Sequence, residues 1–129
     1  MLHLYYGNDT TAVRERAFAA ADKLAEKENA RITRIESSDF APGMLANLLG
    51  AASLWGEREI YVLDTPSEEA AFYAEVISHT AAMGESLNQF VIMEAAMLAP
   101  ERKKFEKHTA TLVKNRVQVH PKSRRNVWF

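Results

Sequence analysis

The sequence has no cysteine among its 129 residues. This absence excludes disulfide bonds, thiol catalysis, thiolate zinc sites and iron–sulfur clusters. No apolar run approaches the roughly 20 residues that a membrane-spanning helix needs. The first residues also lack the basic start and long apolar stretch of a signal peptide. We therefore expect a cytoplasmic domain that makes no membrane contact.

An excess of charge of one sign is also missing. Sixteen basic residues stand against seventeen acidic ones, which gives a formal net charge of −1. A chain with balanced charge has no strong field with which to attract DNA or RNA. The length fits one domain, since domains commonly contain roughly 100–150 residues, and a chain of this size buries a substantial core.

What the sequence does contain is an alternation of short apolar runs with amphipathic stretches. This pattern predicts five strands, at residues 2–6, 31–36, 59–64, 89–94 and 116–120. It predicts helices that start near residue 9, cover residues 44–52, run from 66 to about 83, and cover 101–112, the last with Phe105 and Leu112 facing inward. The alternation indicates an α/β fold, a three-layer sandwich with a five-stranded, mainly parallel sheet.

The turn after the first strand is where such a sheet would hold a phosphate group. It contains one glycine, Gly7, and lacks the second glycine and the lysine of a phosphate-binding loop. Asp9 would repel a phosphate. The pattern favours a tight turn followed by a helix cap, and it predicts no bound cofactor.

Other candidate sites are also weak. Asp64 ends the third strand, where a magnesium-binding acid could stand, but a capping or turn role for this carboxylate is favoured. The four histidines have no metal-ligand spacing, and no serine has the surroundings of a nucleophile elbow. The sequence predicts no metal site, no catalytic residue and no enzymatic activity.

An adjacent apolar pair, Leu54 and Trp55, follows the predicted helix at residues 44–52. Neighbouring residues do not share one face of a helix, and Gly56 with two charged residues comes next. One interpretation is that the pair is exposed and anchors a partner with a hydrophobic pocket. The other is that the pair plugs the end of the core. The residue pattern alone leaves both open.

Two segments carry a resemblance to a known family. They are the opening strand and turn at residues 4–9, and residues 48–58 leading into the third strand. The fourth strand, the basic helix after it and residues 117–119 follow in the matching order, and residues 127–129 stand where the family begins the first helix of its next domain. The sequence resembles the N-terminal domain of the delta subunit of the bacterial DNA polymerase III clamp loader.

This resemblance implies a degenerate AAA+-like P-loop fold whose nucleotide site has been lost. It implies a clamp-binding domain at residues 1–120 and the start of a linker to a further domain at residues 121–129. In the family a Leu-Phe pair enters a hydrophobic pocket of the ring-shaped sliding clamp and weakens one dimer interface. That pair corresponds to Leu54 and Trp55, with Ser53 and Gly56 beside them, and tryptophan stands where phenylalanine is usual.

The partners implied by the resemblance follow from the same role. They are the sliding clamp (the beta subunit), the other clamp-loader subunits in the full-length protein, and DNA only through the assembled complex. The expected function is to help open the clamp during DNA replication, as part of a DNA polymerase III holoenzyme and with no catalytic residues in this chain.

A receiver-like phosphoacceptor signalling domain is the alternative, because it is also a parallel five-stranded α/β fold of about this length. It needs acids after the first and third strands, and Asp9 and Asp64 fit loosely. It also needs Ser or Thr after the fourth strand, where Glu94 stands instead, and a lysine after the fifth, where Lys122 lies one place late.

Overall fold

Strands and helices alternate along the computed structural model, which describes residues 1–50 and 58–117. The strands are β1 (Leu2–Tyr6), β2 (Arg31–Glu36), β3 (Glu59–Asp64), β4 (Gln89–Met93) and β5 (Thr109–Lys114). The helices are α1 (Thr10–Glu28), α2 (Met44–Gly50), α3 (Ala70–Ser78), α4 (Thr80–Glu85) and α5 (Ala99–Glu106). Short 3₁₀ turns follow β2 at Ser37–Asp39 and β3 at Pro66–Glu68.

The five strands form one sheet in the order β2-β3-β4-β1-β5, and every pair is parallel. The first strand therefore lies inside the sheet, between two strands from the second half of the chain. Leu4 is paired with Ile92 on one side and with Leu112 on the other. The predicted parallel α/β fold is confirmed, and the sheet is parallel throughout the described residues.

The helices divide unequally between the two faces of the sheet. On one face, α1 is the one helix among the described residues, and it packs Val13, Ala17 and Ala21 against alternate residues of the sheet such as Ile60 and Val91. The other face is covered by α2, α3, α4 and α5, whose buried side chains include Leu45, Phe72, Val76, Met83 and Phe105. This division follows from right-handed crossovers, because only the β1–β2 connection runs toward the β2 edge. The result is three layers with a core on each face.

Local signals explain the ends of α1. The Asp9 side chain accepts a hydrogen bond from the backbone N–H of Ala12 at 3.1 Å, which caps the first turn. At the other end Asn29 adopts a left-handed conformation with φ 50° and ends the helix. The predicted cap at the start of this helix is confirmed.

The predicted helix from residue 66 to about 83 is wrong in its continuity. Pro66–Glu68 forms a 3₁₀ turn, and Glu69 then adopts an extended conformation and caps α3 with its own side chain. A second interruption at His79 separates α3 from α4. Proline favours the first turn of a helix, but here that turn ends at Glu68 and a new helix begins two residues later, at Ala70.

The prediction for the fifth strand is also wrong. The helix α5 ends at Glu106, and the strand is Thr109–Lys114, where residues 101–112 were expected to be helical. Phe105 is buried as expected, whereas Leu112 lies on the strand and is 38% exposed. Tyr6 is the last residue of β1, and it pairs with Lys114. No residue of β1 therefore remains to pair with a strand at 116–120. Arg116 and Val117 lie outside any strand, and residues 118–120 lie outside the described residues.

Within the described ranges, no helix has both the length and the apolar character needed to cross a membrane. The predicted linker at residues 121–129 lies outside these ranges.

Candidate functional site at the carboxyl edge of the sheet

The carboxyl ends of the strands are the place where an open parallel sheet carries a ligand, and the crevice forms where neighbouring strands lead to opposite faces. Here those neighbours are β1, which leads to α1 on one face, and β4, which leads to α5 on the other. The loops after β1, β3 and β4 therefore define the candidate site.

The turn after β1 is closed by hydrogen bonds to the neighbouring loops. The backbone N–H of Gly7 donates to the carbonyl of Ala95 at 3.3 Å, and that of Asp9 donates to the carbonyl of Asn115 at 3.2 Å. The side-chain oxygen of Asn8 accepts from the backbone N–H of Val117 at 2.9 Å. A phosphate-binding loop must turn such backbone N–H groups toward its ligand, and here two of them are already used within the chain.

The first turn requires a glycine at position 7, because its backbone lies very close to the backbone of Asn115. Its φ is +139°, and a Cβ atom at this position would lie 1.7 Å from the carbonyl oxygen of Asn115. The backbone of the first turn thus lies directly against the backbone that follows β5. The tight turn predicted from the sequence is confirmed, and it has no room for a phosphate between these two segments.

Asp64, at the end of β3, binds two arginines. Its carboxylate accepts from Nη1 of Arg14 at 3.0 Å and from Nε of Arg34 at 3.1 Å, and the hydroxyl of Thr65 donates to it at 2.9 Å. Of the capping or turn role predicted for Asp64, the capping part is wrong, because the 3₁₀ turn after β3 has no side-chain cap. The carboxylate instead joins α1, β2 and β3 at the edge of the sheet.

An aromatic ring and a carboxylate complete this arrangement. The guanidinium groups of Arg14 and Arg34 each lie 5.7 Å from the ring centre of Phe18, within reach of a cation–π interaction. Arg34 also pairs with Glu36 at 2.8 Å. The two arginines that could have bound an anion are thus engaged with protein groups.

The pKa of Asp64 reflects this environment. Partial burial by itself raises the pKa, but hydrogen bonds from Arg14, Arg34 and Thr65 outweigh it and hold the pKa below the ordinary value of 3.8. The carboxylate is therefore charged at neutral pH. A group whose pKa is lowered on folding stabilises the folded state above its unfolded pKa, and this contribution is lost as the pH falls through the lowered value.

Replacing Asp64 with asparagine is expected to lower the free energy of unfolding by about 1–2 kcal/mol at pH 7, because charge-assisted hydrogen bonds are lost while both arginines remain partly solvated. Urea denaturation measures the change, which should persist at pH 5 and shrink below about pH 3.8. The control is Glu59→Gln, in an exposed pair with Arg31, which should cost less than about 0.5 kcal/mol. Equal losses in the two variants would contradict a special role for Asp64.

A cleft of about 540 Å³ opens beside this cluster. Its polar lining consists mainly of acids and hydroxyl groups, contributed by Arg14, Glu36, Ser37, Ser38, Asp64, Thr65, Glu68 and Glu69. Four carboxylates and one arginine that is already paired give this cleft a negative character. It is therefore a poor site for the phosphates of a nucleotide.

Two features of this edge could not be expected from the sequence. Thr65 adopts a left-handed conformation with φ 49°, which is rare for a β-branched residue. Its backbone is held by the carbonyl of Met93, which accepts its N–H at 2.9 Å, and by the hydroxyl of Ser37, which donates to its carbonyl. Glu94, only 4% exposed, accepts from both the N–H and the hydroxyl of Ser67. No local sequence pattern predicts these contacts, because each of them joins two separate loops.

Histidines and acids do not gather into a metal site in the described part of the chain, where no group of three or more potential ligands is found. His3 illustrates why. It lies in β1, is 8% exposed, and its two ring nitrogens are within hydrogen-bond distance of Thr111 and Gln89. Burial lowers the pKa of His3, so the neutral ring is the form that this position favours.

The predicted clamp-binding residues, Ser53, Leu54, Trp55 and Gly56, lie outside the described residues. Their flanks are described. The helix α2 ends at the exposed Gly50, and β3 begins at Glu59. The start of β3 belongs to the amino edge of the sheet, roughly 16 Å along the strand from the Asp64 cluster.

Comparison with known proteins adds no family to these observations. Models of known protein families give no match to the chain, and neither do curated proteins.

Proposed function

We propose that this chain is a clamp-loader domain of the delta type, which binds a sliding clamp and helps to open the ring during DNA replication. The observation that carries the proposal is the segment at residues 48–58, with the adjacent pair Leu54 and Trp55 followed by Gly56 and two charged residues. Adjacent aromatic and aliphatic side chains are suited to bind in a hydrophobic pocket of a partner protein and so to anchor the complex.

The sheet topology supports this proposal. Counted from the β5 edge, the strand order is β5-β1-β4-β3-β2, which is the order of an AAA+ sheet. A receiver domain instead has the order 2-1-3-4-5, with its first strand beside the second. The receiver-like alternative also needs a free acid after the third strand, and Asp64 is bound by Arg14 and Arg34. The strand order and the paired Asp64 of the described residues therefore favour the clamp-loader proposal over the alternative.

The closed first turn supports the degenerate character of the proposed AAA+-like fold. A fold of this kind places its nucleotide phosphates at the turn between β1 and α1. In this chain Gly7 and Asp9 are hydrogen-bonded to the loops after β4 and β5, and the neighbouring cleft is acidic. The domain would then act through contacts with partners in the cytoplasm and would not hydrolyse ATP itself.

The strand that follows the segment also fits a role in binding. β3 begins at Glu59 at the amino edge of the sheet, and the Asp64 cluster lies at the carboxyl edge. A clamp bound at the amino edge would leave the opposite edge open to other loader subunits. DNA would be reached only through the assembled complex, since the net charge of −1 gives the domain little attraction of its own.

A calorimetric titration with the sliding clamp of the same organism tests the proposal. We expect a saturable interaction with a dissociation constant on the order of 1 µM or tighter. A titration that shows no heat and no change in sedimentation at roughly 100 µM clamp would overturn the proposed function.

Mg-ATP should not bind at the first turn, because the backbone N–H groups of Gly7 and Asp9 are already hydrogen-bonded and the turn lacks the lysine of a phosphate-binding loop. We expect no dissociation constant below about 100 µM and no dependence of any weak binding on magnesium. Equilibrium dialysis with labelled ATP, with and without magnesium, makes the measurement. Low-micromolar, magnesium-dependent binding would contradict the degenerate nucleotide site.

A further inference from the structure

A second cleft lies on the other side of the first turn, toward β5. It has a volume of about 530 Å³. The residues that line it come from the start of α1 and from the end of β5: Asp9, Ala12, Arg16, Lys114, Asn115 and Arg116. It shares no lining residue with the acidic cleft beside Asp64, so the two have separate chemistry.

The charge of this second cleft is positive. Arg16, Lys114 and Arg116 are all exposed, and none of them forms an ion pair with a carboxylate of residues 1–50 or 58–117. Asp9 is the single acid among the described lining residues, and its carboxylate caps α1 through the N–H of Ala12. These three cations, without an ion pair to a described carboxylate, line the second cleft. Arg14 and Arg34, beside the acidic cleft, are by contrast both paired with Asp64.

A buried amide supplies an independent indication of a ligand. Asn115 is 6% exposed, and its backbone is fixed because its N–H donates to the carbonyl of Tyr6 at 2.7 Å and its carbonyl accepts from the N–H of Asp9. The side-chain nitrogen Nδ2, however, has no hydrogen-bond partner. A buried donor without an acceptor destabilises the folded state, and buried polar groups are otherwise almost always paired. Asn115 lines the cleft, and because Nδ2 is shielded from solvent, an acceptor in the cleft would satisfy it after a rotation of the side-chain amide.

We propose that this basic cleft binds a phosphate group. Phosphate oxygens accept several hydrogen bonds at once, and arginine recognises them through more than one N–H. The amino end of the 19-residue helix α1 adds a favourable dipole. Recognition comes from side chains on α1 and after β5, because the backbone N–H groups of Gly7 and Asp9 are already bonded. The site is therefore distinct from a P-loop, and it does not depend on the proposed clamp binding.

The test is an NMR titration of the whole chain with inorganic phosphate, against sodium chloride at equal ionic strength. We expect saturable shifts of the Asn115 side-chain amide, with a dissociation constant of about 1 mM. Arg16→Gln and Arg116→Gln should each weaken binding roughly tenfold, since a hydrogen bond to a charged group contributes about 1.5 kcal/mol or more. Lys104→Gln, the same change of charge on the exposed side of α5, should leave the affinity unchanged.

Two further ligands distinguish the source of the phosphate. Adenosine 5′-monophosphate represents a free phosphate monoester, and a short oligothymidylate represents the phosphodiester of a nucleic acid. Tighter binding of either one, with the same loss in Arg16→Gln and Arg116→Gln, supports the cleft and identifies its ligand class. Shifts that chloride reproduces, or binding that neither substitution weakens, would overturn the proposal.

Discussion

The double substitution Leu54→Ala, Trp55→Ala should reduce clamp binding by roughly 30- to 1000-fold. The estimate follows from the about 2–4 kcal/mol that truncation of a central interface anchor commonly costs, converted to affinity. Calorimetry with the purified clamp measures the loss. If the pair is an exposed anchor, the melting temperature should hardly change, because exposed substitutions alter stability by no more than about 0.5 kcal/mol.

The matched control is Leu98→Ala. Leu98 is 75% exposed and precedes α5 at the carboxyl edge of the sheet, away from the flanks of residues 51–57. This variant should bind the clamp with unchanged affinity. The alternative that Leu54 and Trp55 plug the core predicts a loss of about 2–5 kcal/mol of folding stability for each truncation. A folded double variant with full clamp affinity would rule out the pair as the clamp anchor.

Gly7→Ala should destabilise the fold by more than about 4 kcal/mol, a loss that point substitutions rarely reach. The added Cβ would lie 1.7 Å from the carbonyl oxygen of Asn115 and 2.6 Å from its carbonyl carbon. Both are backbone atoms next to β5, so they cannot move aside as a side-chain end could. The positive φ of Gly7 adds conformational strain for any residue with a Cβ. Urea denaturation, or loss of the folded NMR spectrum, measures the effect.

Gly43→Ala separates the two causes of this loss. Gly43 also has a positive φ, +84°, but nothing lies within 4 Å of the Cβ that would be added. Its substitution should cost only the conformational strain, about 1–2 kcal/mol. Similar losses at the two positions would mean that the first turn can open away from Asn115, which would weaken the case for a closed nucleotide site.

Four of the five strands could be predicted from the sequence. Three of them are compact apolar runs, with Gly7 directly after β1 and Pro66 closely after β3, and β2 is marked by Ile32 and Ile35 between polar residues. The fifth could not, because two neighbouring segments alternate in a similar way. The choice between them depends on which one is paired with the five residues of β1. This is a tertiary constraint that no local window contains.

The candidate site also contains features that could be predicted from the sequence and features that could not. The helix cap by Asp9 involves a contact three residues away, so its signal is local and the prediction was confirmed. The partners of Asp64 are Arg14 and Arg34, which lie 50 and 30 residues away in the chain. Which of these distant residues meet depends on the order of the parallel strands in the sheet, and the sequence alone does not reveal that order. Charged residues at these positions are otherwise indistinguishable from solvated ones.

The central place of β1 has a consequence for how the protein is made. Within this sheet, β1 leaves the ribosome before the other four strands, and its two neighbours, β4 and β5, are the last two of the five to be synthesised. Until they emerge, Leu2 and Leu4 have no sheet in which to be buried, and α1 has only part of its packing surface. Contacts between such distant segments slow folding and leave apolar strands exposed during synthesis. The nascent domain therefore exposes a surface for chaperone binding until β5 pairs with β1.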